Sequence, residues 1–309
     1  MLRAMTADPQ PETAGRPRTA RSPDGRPADC PTGSPSNRGA GVALMLGSGL
    51  SNQTGAAVAA LAFPVVGPAG VVAVRQWVAG AVLLAVGRPR MRAFTREQWW
   101  PVLGLVAVFA VMNLSLYTAI GRIGLGLAVT LEFLGPLAVA LATARRRTDL
   151  ACALAAGAAV VVLTRPRPAA DYAGIGLALL AAVCWACYIL LGRTVGRRLP
   201  GVQGPAAAAA VSALAYVPVG AVVLAHRPPT AAALGCAVAA GVLSSAVPFL
   251  ADLLALRRVP AQLFGTFMSV NPGLAALVGL VVLDQRPGLY EWAAIGVIVT
   301  ANAVVVGRR

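Results

Sequence analysis

The sequence predicts an all-α membrane protein of ten spans, on three observations. Apolar residues make up 58% of the 309 positions and charged residues only 12%, giving a mean hydropathy of +0.73. A soluble domain has roughly 45–50% and about 25% of these, and its core is too small to hide so much apolar surface. The apolar residues fall into runs of about 20, the length that crosses a bilayer. All 26 basic residues are arginine, gathered in short clusters between those runs. Clusters so placed set orientation in a membrane, so the net charge of +15 is no nucleic-acid footprint. The five cysteines are an odd count, most of them inside apolar runs, which argues against a disulfide framework. A cytosolic enzyme, a nucleic-acid-binding domain and a secreted disulfide scaffold are excluded.

Residues 1–38 are a different material. They hold seven Pro and six Arg and almost no large apolar residue, a composition that leaves a segment disordered. They contain no apolar stretch of the kind a signal peptide needs. The spans then follow in order. The first, 42–63, runs up to Pro64, and the second, 67–87, ends before Arg88-Pro89. The third, 99–120, stops short of Arg122, and the fourth, 124–144, runs from Gly124 to the Arg145-Arg146-Arg147 cluster. The fifth, 149–164, is short and closes at Arg165-Pro166. The sixth and seventh, 174–192 and 204–225, are parted by Arg193, Arg197, Arg198 and Pro200. The eighth, 232–256, lies between Pro228 and Arg257-Arg258. The ninth, 260–283, opens on Pro260, and the tenth, 288–307, lies between Pro287 and Arg308.

Sorting the arginines by loop places twenty on the side of the N-terminal tail, five on the other and one, Arg75, inside a span. By the positive-inside rule both termini face the cytoplasm. The two halves, 42–164 and 174–307, also match at an offset of 136. Ala119, Arg122, Ile123 and Pro136 correspond to Ala255, Arg258, Val259 and Pro272. A repeat of five spans is odd, so the second copy enters the membrane upside down. That inverted repeat is the plan of secondary transporters, with a substrate site near the midplane.

Ionisable groups inside spans cost roughly 2.5–3.5 kcal/mol each on insertion scales and mark function by default. Three sit well inside: Arg75, Glu132 and Asp252. At about 1.5 Å per residue, Arg75 and Glu132 both lie ~12 Å deep, and Asn113 on the third span ~10 Å deep. Equal depth predicts an Arg75–Glu132 pair in one wet cavity with Asn113. Arg75 then suits a substrate carboxylate, and Glu132 an amino group, a proton or both. A Glu that exchanges Arg for a substrate amine changes its proton affinity during transport, which is a physical route to proton coupling. The plain alternative is a static pair locking two helices. Asp252, ~7 Å deep, is a second proton-coupling candidate or an interfacial partner of Arg257 and Arg258.

Asn52 and Gln53 lie near the middle of the first span, and Asn271 beside Pro272 in the ninth. They fit a substrate site at loosened backbone or ordinary interhelical hydrogen bonds. Trp185 and Tyr188 are mid-span and could wall the site or pack the core. Tyr117, three residues from its span's end, reads as an interfacial belt residue. Cys184-x-x-Cys187 sits in an apolar helix and reads as structural. Gly192-x-x-x-Gly196 fits small-residue helix packing. His226 lies in a loop and is read as inert. No phosphate-binding loop, zinc-protease or serine-hydrolase motif is present, so no cofactor and no metal are expected.

The string Val129-Thr-Leu-Glu-Phe-Leu-Gly-Pro-Leu-Ala-Val-Ala-Leu141 is followed by Arg145-Arg146-Arg147-Thr148-Asp149. Together with Met112-Asn113, Tyr117, Cys184-Trp-Ala-Cys-Tyr-Ile-Leu190, Phe264-Gly-Thr-Phe-Met-Ser269 and the stretch from Phe63-Pro64 to Gly70-Val71, it resembles the EamA family of the drug/metabolite transporter superfamily. The resemblance covers about 40–309. It implies ten helices in two inverted EamA repeats and proton-driven efflux of small metabolites, often amino acids. Arg75, Asn113, Glu132, Trp185 and Tyr188 fall on matching family positions. The chain departs from the family at Asn271 and at Asp284-Gln285, where a Glu is common, and at Ala60, where a Lys is common.

The expected function is therefore inner-membrane export of a small polar metabolite, a neutral amino acid such as threonine or homoserine, by proton antiport. The expected partners are that small-molecule substrate and the lipid bilayer, with a homodimer left open and no nucleic acid. A broad-specificity drug or cation exporter of the same fold is the nearest alternative, although a cation exporter has little use for Arg75. A non-transporting membrane scaffold would need no charges at the midplane, and an intramembrane enzyme lacks its nucleophile–base set.

Overall fold

The computed structural model describes residues 35–142, 151–152, 154–159, 171–199, 202–256 and 268–307. Among them the regular structure is all helical. It comprises α1 (Pro35–Leu61), α2 (Phe63–Gly87), α3 (Arg96–Ile123), α4 (Leu125–Glu132), α5 (Leu134–Ala142), α6 (Tyr172–Arg198) and α7 (Gln203–His226). Then come α8 (Ala231–Gly241), a π-helical turn (Val242–Ala246), α9 (Val247–Leu256), α10 (Asn271–Leu283) and α11 (Leu289–Gly307). Among the described residues, five helical segments are long and apolar enough to cross a membrane: Phe63–Gly87, Arg96–Ile123, Tyr172–Arg198, Gln203–His226 and Ala231–Asp252. Shorter apolar helices cover Leu125–Val139, Asn271–Leu283 and Leu289–Ala301.

Helix α1 begins at Pro35, four residues inside the stretch expected to be disordered. The rest of that tail and half of the expected fifth span lie outside the described residues; the described half, 151–152 and 154–159, is helical. The fourth span, expected to be continuous, is broken at Phe133 between α4 and α5. Pro136 supplies the cause: it has no N–H for the carbonyl four residues back, that of Glu132. The eighth span is likewise interrupted, by the π turn. Pro248 cannot donate to the Ser244 carbonyl, and an inserted π turn is a common answer to such a break. In both spans a proline thus frees backbone at the depth of a polar side chain.

Helix α2 packs along α7, α3 along α6, and α1 along α8, the π turn and α9. Replacing each expected span by the one five later maps the first pairing onto itself and exchanges the other two. Gln76 Nε2 donates to Ser212 Oγ at 2.8 Å across the α2–α7 contact, and these residues are 136 apart. Close packing there depends on small residues. A Cβ at Gly87 would overlap that of Ala206, and one at Gly70 would lie 3.3 Å from Val223. Shifting both partners of the first contact by 136 gives the second.

Candidate functional site

The prolines and the packing converge on one cavity of about 320 Å³. Arg75, Asn113, Glu132, Trp185, Tyr188, Gln53, Asn271 and Asp252 all line it. They come from α1, α2, α3, α4, α6, α9 and α10, so no single segment contains the site. Asn52 and Tyr117 line it too.

Arg75 projects from the middle of α2 and is only 8% exposed. Its Nη1 donates to Asn113 Oδ1. Asn113 is held for this by its own helix, since its Nδ2 donates to the Phe109 carbonyl at 2.7 Å. Arg75 Nη2 reaches the Ser244 carbonyl at 3.4 Å, the group that Pro248 leaves without an amide donor. The guanidinium carbon stands 5.0 Å from the ring centroid of Tyr117, a cation–π distance. Nε has no partner. The cation is therefore held by neutral groups, with its Nε–H left free.

The expected Arg75–Glu132 ion pair does not form: the ion pairs among the described residues are Arg122–Asp171 and Arg286–Asp284. Equal depth in two helices fixes height and leaves azimuth open, and groups on α3 and the π turn take the guanidinium. Glu132 instead ends α4, buried against the cavity, with no hydrogen bond or ion pair among the described residues. Beside it the Phe133 ring meets Trp185 edge-on, with centroids 4.7 Å apart. Asp252 accepts a 2.6 Å hydrogen bond from Ser48 of α1. Its expected partners Arg257 and Arg258 lie outside the described residues.

On the α10 side, Asn271 Nδ2 donates to the Met268 carbonyl at 3.0 Å, the carbonyl that Pro272 cannot serve. Its Oδ1 faces Gln53 Nε2 at 3.5 Å. Gly49 of α1 gives it room, since a Cβ there would sit 2.8 Å from that Oδ1 and push the amide aside.

Two further expectations are corrected. Tyr117 is no belt residue: it is 2% exposed and lies under the Arg75 guanidinium. Gly192 and Gly196 do not pack against a helix among the described residues, since nothing there lies within 4 Å of a Cβ at either. Cys184 and Cys187 are both free thiols, and His226 is exposed, with Nδ1 against the Val222 carbonyl at 2.8 Å. The sequence reading missed Ser48, which holds Asp252. It also missed Ser244, whose only signal was the proline four residues on.

At one end of the bundle, Arg122 in the last turn of α3 pairs with Asp171, the N-cap of α6, at 2.9 Å. The Gly174 amide, followed by Arg122, holds the Asp171 carboxyl below the usual carboxylate range. A depressed carboxyl pKa gives stability that is present above about pH 4 and lost as the pH falls through the folded value. Thermal melts taken across that range should therefore fall less steeply for Asp171→Asn than for the parent. An identical pH dependence in the two proteins would show that this cap has no such role.

Comparison with known proteins now decides the family. The EamA-like transporter family matches residues 172–307. The threonine/homoserine exporter RhtA of Escherichia coli strain K12 is 35% identical over 267 residues, covering 84% of this chain and 89% of the exporter. The chain belongs to the EamA family. The threonine/homoserine exporter RhtA of Salmonella typhimurium strain LT2 is 36% identical over 258 residues, covering 82% and 86% of the two chains. A crystal structure of a protein with 22% identity aligns over 89% of this chain and 99% of its own, with a TM-score of 0.53, and shares the fold alone. As an EamA protein the chain is a multi-pass membrane transporter and not an enzyme. The buried polar cavity is where such a function can reside.

Proposed function

We propose that this EamA protein exports a neutral amino acid, such as threonine or homoserine, across the inner membrane in exchange for protons. The observation that carries the reading is the cavity itself, where a buried arginine with an unpartnered N–H stands among two carboxylates and the amides of Gln53, Asn113 and Asn271. A zwitterion needs such a set, with a cation for its carboxylate, an anion for its ammonium group and amides for a hydroxyl. Arg75 takes the carboxylate through its planar donor fork. Glu132, which has no hydrogen bond or ion pair among the described residues, takes the ammonium group or a proton. Asp252, held by Ser48, is a second proton carrier. The likeness to the RhtA exporters supports both the substrate class and the direction.

The reading includes ten spans in two inverted repeats with both termini cytoplasmic. The arginine distribution supports the orientation. The exchange of helix pairings and the Gln76–Ser212 bond at the repeat offset support the pseudo-two-fold axis. Alternating access then comes from rocking one repeat against the other about the cavity.

Proteoliposomes loaded with labelled threonine provide the test. With an imposed proton gradient the parent protein should release label faster than without one. Glu132→Gln, nearly the same in shape, should abolish that acceleration. Efflux that responds to the gradient as strongly in the variant as in the parent would refute the coupling role.

A further inference from the structure

A second cavity, of about 370 Å³, adjoins the first. Arg75, Phe109, Tyr188, Ser244 and Pro248 line both and form their common wall. Within that wall the Phe109 and Tyr188 rings lie 6.0 Å apart. Beyond it the lining is apolar apart from Ser245, with Ala79, Leu83, Leu105, Gly192 and Ala208. The polar cavity presents amides and carboxylates; this chamber presents hydrocarbon.

Arg75 stands at the junction. It is 8% exposed, its Nε has no partner, and its Nη2 contact to Ser244 is long at 3.4 Å. A carboxylate held by this guanidinium places its substituent between two environments. A hydroxylated side chain finds donors and acceptors on the polar side. A hydrocarbon side chain would bury unpaired polar groups there, whereas the second chamber takes it from water without that cost. The chamber also has room: nothing lies within 4 Å of a Cβ at Gly192.

We propose that the second cavity is a side-chain chamber for amino acids with unbranched aliphatic side chains, their carboxylate held by Arg75, so that one anchor serves two classes of cargo. This rests on the amino-acid reading above. Specificity is then set in part by residues that touch no polar group of the cargo, Gly192 and Ala208 among them.

Isothermal titration of the full-length protein in detergent with threonine, 2-aminobutyrate, norvaline and norleucine tests it. The dissociation constant should fall about fourfold per added methylene, the value of one buried CH2. In Gly192→Phe, which fills the chamber, the norleucine-to-threonine affinity ratio should collapse by tenfold or more. Gly192→Leu should reduce the ratio less and serves if the larger variant does not fold, as judged by its thermal melt. A flat series in the parent, or an unchanged ratio in a folded variant, overturns the chamber. The two readings fail separately. A graded series without threonine efflux from proteoliposomes removes the export assignment alone, and efflux with a flat series removes the chamber alone.

Discussion

Arg75→Ala should lower threonine or homoserine efflux from proteoliposomes by about 30-fold or more. The side chain is 8% exposed and bonds Asn113 and the Ser244 carbonyl. Truncation leaves both acceptors without their donor and leaves the cargo carboxylate buried with no cation. Removing one partner of a buried, hydrogen-bonded charge pair costs about 2–5 kcal/mol, and tenfold in affinity is about 1.4 kcal/mol. Arg75→Lys keeps the charge but loses the fork that reaches Asn113 and Ser244 together, so it should fall between the parent and the alanine variant. Cationic substrates separate the nearest rival. Transport of a lipophilic cation that survives Arg75→Ala beside threonine efflux that also survives would identify a broad cation exporter. Loss confined to zwitterions supports the amino-acid reading.

The largest effect on folding is expected at Gly135. A Cβ there would overlap the carbonyl oxygen of Ala182 and lie 3.0 Å from its carbon. The neighbour is backbone, and it cannot turn aside as a flexible side chain would. Helix α5 therefore meets α6 main chain to main chain, one turn from Trp185. Gly135→Val should destabilise the protein by roughly 3 kcal/mol or more, at or beyond the upper end of ordinary overpacking, and should disturb the cavity wall at Trp185. Monodisperse protein recovered after a heating series, followed by size-exclusion chromatography, measures this. Gly176→Ala on α6 is the control, because nothing lies within 4 Å of its Cβ and alanine is the better helix former. Equal heat resistance of Gly135→Val and the parent would mean that α5 does not approach α6 so closely.

Several features of the site were legible from residues alone, each for a local reason. Three ionisable groups stood out in apolar surroundings because burying a charge is costly wherever the helix goes. Pro136, Pro248 and Pro272 lie four residues after Glu132, Ser244 and Met268, whose carbonyls they leave without an amide donor. The break at Phe133 and the bond from Asn271 to Met268 follow from that rule, although the span reading ran straight through the first. The offset of 136 was faint in letters and reappears as the Gln76–Ser212 bond.

Composition and order along the chain determined the class of molecule, the approximate spans and the depth of each polar side chain, because hydropathy and rise per residue are sums over neighbours in sequence. Which groups meet was decided only by the tertiary structure. Rotation of one helix against another brought Asn113, Tyr117 and the Ser244 carbonyl to Arg75, left Glu132 buried at the wall of the polar cavity, and built the apolar chamber beside it. Azimuth and separation between helices depend on every contact in the bundle at once, and no stretch of sequence carries them.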